Sequence, residues 1–302
     1  MHGRQDGPLV SVIIPTWNRL ELVRQAIASV VAQTYENWEL IVVDDGSTDR
    51  TVEELRKVND PRISVIASAH LGDLGRLRDL GAATAKGEWF AFLDSDDLWL
   101  PEKLGLQLEA LARTGAGWSY TLYDLMSEDG SWMPLRAGVL RPISGWIIDD
   151  LLELRTGVCA GTVLVERQLF ESVGGFSKNN IYAYDDLDFA FRAALASEAV
   201  ALPQSLTRIR VHQGSLGSAL DLSHHYKCLV YERILADLSD AESRRRARKM
   251  LAHHLSEAGA QRIARREFPE AMRCFVRAMA LGDSPGHLLR ASTRRLRQLI
   301  AA

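Results

Sequence analysis

The chain predicts an α/β fold, a mostly parallel central sheet between helices, followed by a small all-helical region. Over residues 10–113 short apolar runs alternate with stretches of helical periodicity, the rhythm that leaves a sheet covered on both faces. Three of those runs end directly in polar clusters, which sheets of this kind place together beyond their carboxyl edge. From about Leu222 onward the apolar spacing is helical throughout.

A chain of 302 residues with 47% hydrophobic content can bury a substantial core. Val10-Ser11-Val12-Ile13-Ile14 reads as a first strand stopped by Pro15, since proline brings no N–H to a ladder. Leu20, Val23, Ile27, Val30 and Val31 mark the following helix. Residues 40–43 form a second strand that runs into Asp44-Asp45-Gly46-Ser47-Thr48-Asp49, with a short helix over 51–58. The strand 63–67, a helical segment around 76–85, the strand 89–93 and a helix over 101–113 continue the alternation. The rhythm then loosens into a strand at 118–123, a Glu128-Asp129-Gly130 turn and an irregular stretch to about 157. After it come a strand at 159–165, a helix closed by Gly174-Gly175-Phe176, a helix over 185–196 and a strand over 206–211 that ends in His212. This second half reads as an antiparallel extension.

The run Trp89-Phe90-Ala91-Phe92-Leu93 ends in Asp94, Ser95, Asp96 and Asp97. Like charges about 5 Å apart repel by roughly 3 kcal/mol at an effective dielectric near 20, so such a cluster calls for a cation, and a hard divalent one is the natural choice. No G-x-G-x-x-G follows the first strand and no G-x-x-x-x-G-K-[ST] occurs, which disfavours a dinucleotide fold or a P-loop. Cys159, Cys228 and Cys274 are odd in number and far apart, the pattern of reduced thiols. No apolar run nears the ~18 residues needed to span a bilayer, and MHGRQDGPL lacks a signal pattern, so the expectation is cytoplasmic. Residues 241–302 carry 14 Lys/Arg against 5 Asp/Glu, beside 22 against 34 in the rest. An acidic body suits a metal-dependent site, and a basic tail suits an anionic acceptor or membrane surface.

The segments VSVIIPTWNR, QTYENWELIVVDDGSTDRT, AKGEWFAFLDSDDLWLPEKL, VGGF, YDDLDFAFR and RVHQGS, in that order over roughly residues 10–215, resemble a family 2 glycosyltransferase of the GT-A fold. The resemblance implies a catalytic domain over 10–220 after a tail at 1–9, with a nucleotide-binding half (10–115) and an acceptor-binding half (116–220). Residues 221–302 follow as a helical region with one unit like a tetratricopeptide repeat, around Pro269, Ala271, Phe275, Ala278 and Leu281. Leu229, Ile234, Leu235, Leu251 and Leu255 would pack that region while the Arg244-Arg245-Arg246 run stays in water.

By the same resemblance Pro15, Thr16 and Asn18 line the base and ribose, and Asp45 accepts from the base. A carboxylate pairs with the N–H of uracil, which favours UDP. Arg78 stands near the diphosphate with Arg76 as competitor, and Asp79 replaces the family's usual Asn. Asp94 and Ser95 belong to the nucleotide side, while Asp96 and His212 approach a Mn²⁺ or Mg²⁺ ion that neutralises the leaving diphosphate. Asp186 is the general base, and Trp99 and Asp185 support the acceptor side. Asp49 or Ser47 would cap the helix near 51, Asp97 the helix near 101, and Asp188 would simply favour its helix dipole. Trp132, Trp146, Tyr182 and Tyr184 suit either sugar stacking or core.

The reading that results is an inverting, metal-dependent transfer of a sugar from a nucleotide-sugar to an acceptor hydroxyl, as in cell-surface polysaccharide or glycoconjugate synthesis. The acceptor would be a saccharide, lipid-linked or protein hydroxyl. Peripheral contact with the inner face of the membrane and homo-oligomer formation are compatible with it, and nucleic acid is not among the implied partners. A phosphatase of the haloacid dehalogenase type would carry its aspartates after the first strand, and a sugar nucleotidyltransferase would show a Gly-rich first loop. The non-enzymatic alternative is a GT-A-fold carbohydrate-binding or scaffolding protein that has lost its chemistry.

Overall fold

The computed structural model describes residues 7–133, 135, 141–179, 181, 184–212, 223–284, 286–287, 290–291 and 293. Contacts divide the chain into two compact units, one of residues 1–151 with 155–212 and one of residues 152–154 with 213–302.

The first unit opens with β1 (Val10–Thr16), α1 (Leu20–Val31), β2 (Trp38–Asp44), α2 (Thr51–Leu55), β3 (Ile63–Ala67), α3 (Leu74–Thr84), β4 (Trp89–Phe92), β5 (Leu98–Trp99) and α4 (Lys103–Thr114). It continues with β6 (Trp118–Met126), β7 (Trp132–Met133), α5 (Ile148–Leu152), β8 (Val163–Glu166), α6 (Arg167–Val173), α7 (Asp185–Ala196) and β9 (Ala199–Arg210). The sheet order is β3-β2-β1-β4-β8-β6-β9-β5, with β7 beside β6. β3, β2, β1 and β4 are parallel, β8 runs against both of its neighbours, and β9 is parallel to β6. All of β1 is buried, as an apolar strand covered on both faces must be, and α1 packs Val23, Ala26, Ile27 and Val30 inward.

β1 does not stop at Pro15. It pairs with β2 through Thr16, whereas its pairing with β4 ends at Ile13. Pro15 thus lies where one flank of the strand has already lost its partner, and its missing N–H breaks no ladder bond there. The Gly174-Gly175 turn after α6 takes φ of 84° and 64°, the left-handed region that favours glycine. A Cβ on Gly175 would also stand 2.5 Å from Asp79 Oδ1.

The second unit contains α8 (Ser223–Asp237), α9 (Ala241–Ala264) and α10 (Phe268–Ala280). Residues 213–222 lie outside the described residues. α9 and α10 approach closely: a Cβ on Gly259 would meet the Phe275 ring at 2.4 Å, and Ala271 and Ala278 are buried. Ile234, Leu251 and Leu255 are core, but Leu229 is exposed. The arginine run is not uniformly wet either. Arg244 donates to the Leu235 and Leu238 carbonyls at 2.8 and 2.9 Å, satisfying the open end of α8, and Arg246 pairs with Glu153, leaving Arg245 in solvent.

Candidate active site

The carboxyl ends of β2, β1 and β4 are neighbours, and the chain reverses its direction of strand addition between β1 and β4. A ligand crevice opens at such a switch point. The loops leaving these strands are tied together. Asn18, at a φ of 51°, accepts the N–H groups of Thr48 and Asp49 on its Oδ1 at 2.8 and 3.2 Å and donates its own N–H to Ser47 Oγ. Asp44 Oδ1 accepts the Ser47 N–H at 2.8 Å, and Asp49 accepts that of Thr51 at 2.9 Å, a two-residue turn just ahead of α2; neither Asp49 nor Ser47 caps that helix, whose N-cap residue is Arg50 and which has no side-chain cap. Asp45 is buried and takes the Leu71 and Gly72 N–H groups at 2.5 and 2.9 Å, so it shapes the loop at 70–72. Beside it the His70 ring stacks on Trp17, with centroids 4.8 Å apart and an interplanar angle of 26°.

Arg78 is the hub of the site. Its guanidinium reaches Asp94 Oδ1 and Asp185 Oδ2, each at 2.5 Å, and lies over the Phe176 ring at 5.2 Å. Burial opposes its charge, and Asp94 and Asp185 more than offset this, holding it firmly protonated. It is not a solvated helix arginine; Arg76 is exposed. The next residue, Asp79, accepts the Phe176 and Ser177 N–H groups at 2.8 and 2.9 Å and the Ser177 hydroxyl. Three donors meet one acceptor-only carboxylate, which an asparagine amide would serve less well.

Asp186 opens α7 beside Asp185. Its Oδ1 accepts the Leu187 N–H at 2.7 Å, and part of its surface stays in water. Burial first, then the Asp185 charge, push its carboxyl up to about 7, with Arg78 pulling the other way. Tyr123 and Cys159 feel the same carboxylate, and burial above all raises both. Asp188 is a buried ion-pair partner, bound to Arg192 Nε at 2.9 Å and to Asn179 Nδ2 at 2.9 Å, a firmer role than a helix-dipole carboxylate.

In the acidic loop, Asp96 Oδ2 sits 2.7 Å from an Arg19 guanidinium nitrogen and 2.9 Å from His212 Nε2. Ser95 is buried. Asp97 does not cap α4, whose start has no side-chain cap. It is buried and accepts the Arg210 N–H at 2.9 Å, while Arg210 Nε donates to the Asp96 carbonyl. Burial, then Asp94 and Asp96, raise the Asp97 carboxyl, and Arg210 pulls the other way. These residues fit a divalent cation: a carboxylate oxygen and an imidazole nitrogen converge, and the Arg19 guanidinium on the same oxygen stands in for the cation's charge and would have to withdraw to admit it.

The structure therefore brings together Asp45, Asn18 and Thr16 on one side and Arg78, Asp94, Asp96, His212, Asp185 and Asp186 around the acidic loop. Two assignments change. Pro15 is buried inside β1 and contributes backbone position, not a contact surface. Trp99 is 3% exposed, donates its Nε1–H to the Gly161 carbonyl at 2.8 Å and lies under Lys103 Nζ, so it supports the core behind the site and does not present a face to an acceptor. Trp132 and Trp146 are exposed, Tyr184 is half-buried, and Tyr182 lies outside the described residues. Sequence reasoning missed Arg19 and the Trp17–His70 stack. Arg19 closes the PTWNR segment, whereas nothing in the sequence pairs positions 17 and 70.

The glycosyl transferase family 2 model matches residues 11–173. TuaG of Bacillus subtilis (strain 168), named as a teichuronic acid biosynthesis glycosyltransferase, is 36% identical over 182 residues, 60% of this chain and 69% of that protein. WfgD of Escherichia coli, a UDP-Glc:alpha-D-GlcNAc-diphosphoundecaprenol beta-1,3-glucosyltransferase, is 34% identical over 124 residues, 41% of this chain and 49% of the relative. Among solved structures, S. aureus TarS 1–349 in complex with UDP-GlcNAc superposes with a TM-score of 0.64 at 20% identity, covering 89% of this chain and 81% of that one. The mannosyltransferase PcManGT from Pyrobaculum calidifontis, in complex with GDP-Man and Mn²⁺, gives 0.61 at 18% identity over 96% and 80%. At such identities the structural likeness speaks for the fold, and the family match speaks for the chemistry: the chain belongs to glycosyl transferase family 2 and is a glycosyltransferase of the GT-A fold.

Proposed function

We propose that this enzyme moves a sugar from a UDP-sugar to an acceptor hydroxyl with inversion at the anomeric carbon. The observation that carries the reading is Arg78, which joins Asp94 of the acidic loop to Asp185, the neighbour of Asp186, and so couples the donor side to the acceptor side. Trp17 and His70 offer a stacking surface for the base, Asp45 an acceptor for its N–H, and the Arg78 fork, taken up by Asp94 and Asp185, offsets the charge of those two carboxylates where the diphosphate would lie. Asp96 and His212 would hold a divalent ion, and an imidazole ligand favours Mn²⁺ over the oxygen-seeking Mg²⁺. When bound, that ion supplies positive charge to the departing diphosphate. Asp186, poised near neutrality, takes the acceptor hydroxyl proton as the oxygen bonds to the anomeric carbon. The bond to the diphosphate oxygen breaks with its electron pair going to UDP.

Incubation with a panel of nucleotide-sugars and Mn²⁺, reading free nucleotide and then product stereochemistry by NMR, tests the proposal. UDP release with a β-linked product from an α-linked donor is expected. A retained anomer removes Asp186 as the base. Binding of UDP-sugars with no turnover would favour the alternative of a carbohydrate-binding protein without chemistry.

A lipid-linked saccharide acceptor is the acceptor class we favour, since WfgD is named for a diphosphoundecaprenol substrate. One face of α10 supports it: Phe268, Met272, Val276 and Met279 are all exposed at helical spacing, with Arg266 and Arg273 exposed nearby. Apolar side chains flanked by cations suit an anionic lipid surface. Sedimentation with anionic vesicles at low salt should carry the enzyme down, and Met272→Glu with Val276→Glu should abolish this. Equal sedimentation of the variant, or none of the wild type, overturns the membrane contact.

A further inference from the structure

The helical unit holds a second chemical cluster that the transfer reaction does not use. His253 and Glu257 lie one turn apart on α9, hence on one face, and His287, beyond the end of α10, meets them there. One ligand-capable atom from each of the three lies within 4.8 Å of the other two. The rings of His253 and His287 stack with centroids 5.2 Å apart, and Glu257 is buried.

Support for His287 is already built. Its Nδ1 stands 2.8 Å from Asp283 Oδ2, and the same oxygen accepts the Ser256 hydroxyl. A carboxylate behind an imidazole keeps the proton on Nδ1 and leaves the Nε2 lone pair as the ligand, the arrangement found behind metal-binding histidines. Two imidazoles and a carboxylate are a donor set for the zinc class of divalent ions, with the fourth position open to water. Bonds of about 2.1 Å in a tetrahedron bring ligand atoms to about 3.4 Å, a closure that side-chain torsions can supply.

We propose that His253, Glu257 and His287 bind one zinc-class ion and thereby pin the segment after α10 onto α9. Ligands from two separate stretches of chain make this a staple of the helical unit, distinct from the catalytic cation at Asp96 and His212.

The test uses the untagged full chain, stripped with chelator and titrated with Co²⁺ and then Zn²⁺. One Co²⁺ per chain with the visible absorption of a four- or five-coordinate ion, displaced by Zn²⁺, is expected. His253→Ala with His287→Ala should abolish that spectrum. Glu257→Gln, nearly isosteric, should weaken Zn²⁺ binding by at least about tenfold, and Asp283→Asn by about 10–100-fold although it removes no ligand. Asp96→Ala should leave the spectrum intact. Circular dichroism confirms that each variant is folded. A wild type without the Co²⁺ spectrum, a spectrum that survives the double histidine change, or one lost in Asp96→Ala overturns the proposal.

Discussion

Replacing Asp186 by Asn separates chemistry from stability, and the two effects run in opposite directions. Burial and Asp185 hold this carboxyl at about 7 against an ordinary value of 3.8. In the unfolded chain it ionises near that ordinary value, so between roughly pH 4 and 7 the folded chain binds the extra proton, and stability falls as pH rises through that window. Above pH 7 the full penalty of the buried anion is present. A shift of about 3 units at ~1.4 kcal/mol each sets an upper bound near 4 kcal/mol. Contact with water reduces it to about 1–3 kcal/mol. Asparagine is neutral at every pH, and its amide oxygen can still accept the Leu187 N–H. In thermal unfolding without nucleotide or metal, Asp186→Asn should melt about 2–12 °C above wild type at pH 8, with the gain shrinking toward zero near pH 4. Transfer should fall about 10²–10⁴-fold, and wild-type kcat/KM should decline as pH drops below about 7. A variant no more stable than wild type at pH 8 refutes the buried-anion reasoning, and undiminished transfer refutes the base.

Arg78→Met should cost about 3–5 kcal/mol in chemical denaturation, because it strands Asp94 and Asp185 without their cation. Arg78→Lys should recover part of that stability and little of the UDP affinity, since an ammonium lacks the fork; full recovery of both would show that charge alone matters. Trp17→Ala removes a half-exposed ring, so its melting temperature should stay within about 1–2 °C of wild type. Its Kd for UDP by calorimetry should rise roughly tenfold, and an unchanged Kd would take the base off the Trp17–His70 stack. Asp96→Ala should lose the mutual strengthening of UDP and Mn²⁺ binding, and UDP stabilisation that ignores chelator in the wild type would remove the ion from this loop.

The strand-and-helix order of the first unit was legible because both periodicities are local: α7 occupies the residues its acidic start and apolar spacing mark, and Gly174-Gly175 ends α6 as its backbone demands. β9 begins at Ala199, earlier than 206, because it gains β6 as a partner along its whole length, and pairing is not written in the strand's own residues. The same holds in the site. The acidic loop announces itself as three carboxylates after an apolar run, whereas the burial of Trp99 and Pro15 depends on what folds over them. Arg78 illustrates the boundary: its position could be matched by resemblance, but its two carboxylate partners lie 16 and 107 residues away.

That double pairing also explains why Asp79 follows it. α3 presents successive residues in different directions, and it uses them to hold different parts of the site. Arg78 grips the acidic loop through Asp94 and the start of α7 through Asp185, and Asp79 grips the turn after α6 through the Phe176 and Ser177 N–H groups. The turn itself is pressed against Asp79 by Gly175, where a side chain would collide, and Phe176 carries the Arg78 guanidinium on its ring. Asp185, the neighbour of Asp186, and the turn after α6 are thereby held from two successive residues of the same helix. A shift of α3 would move the acidic loop and the proposed base together, and so would keep the relative placement that a displacement reaction between two bound substrates requires.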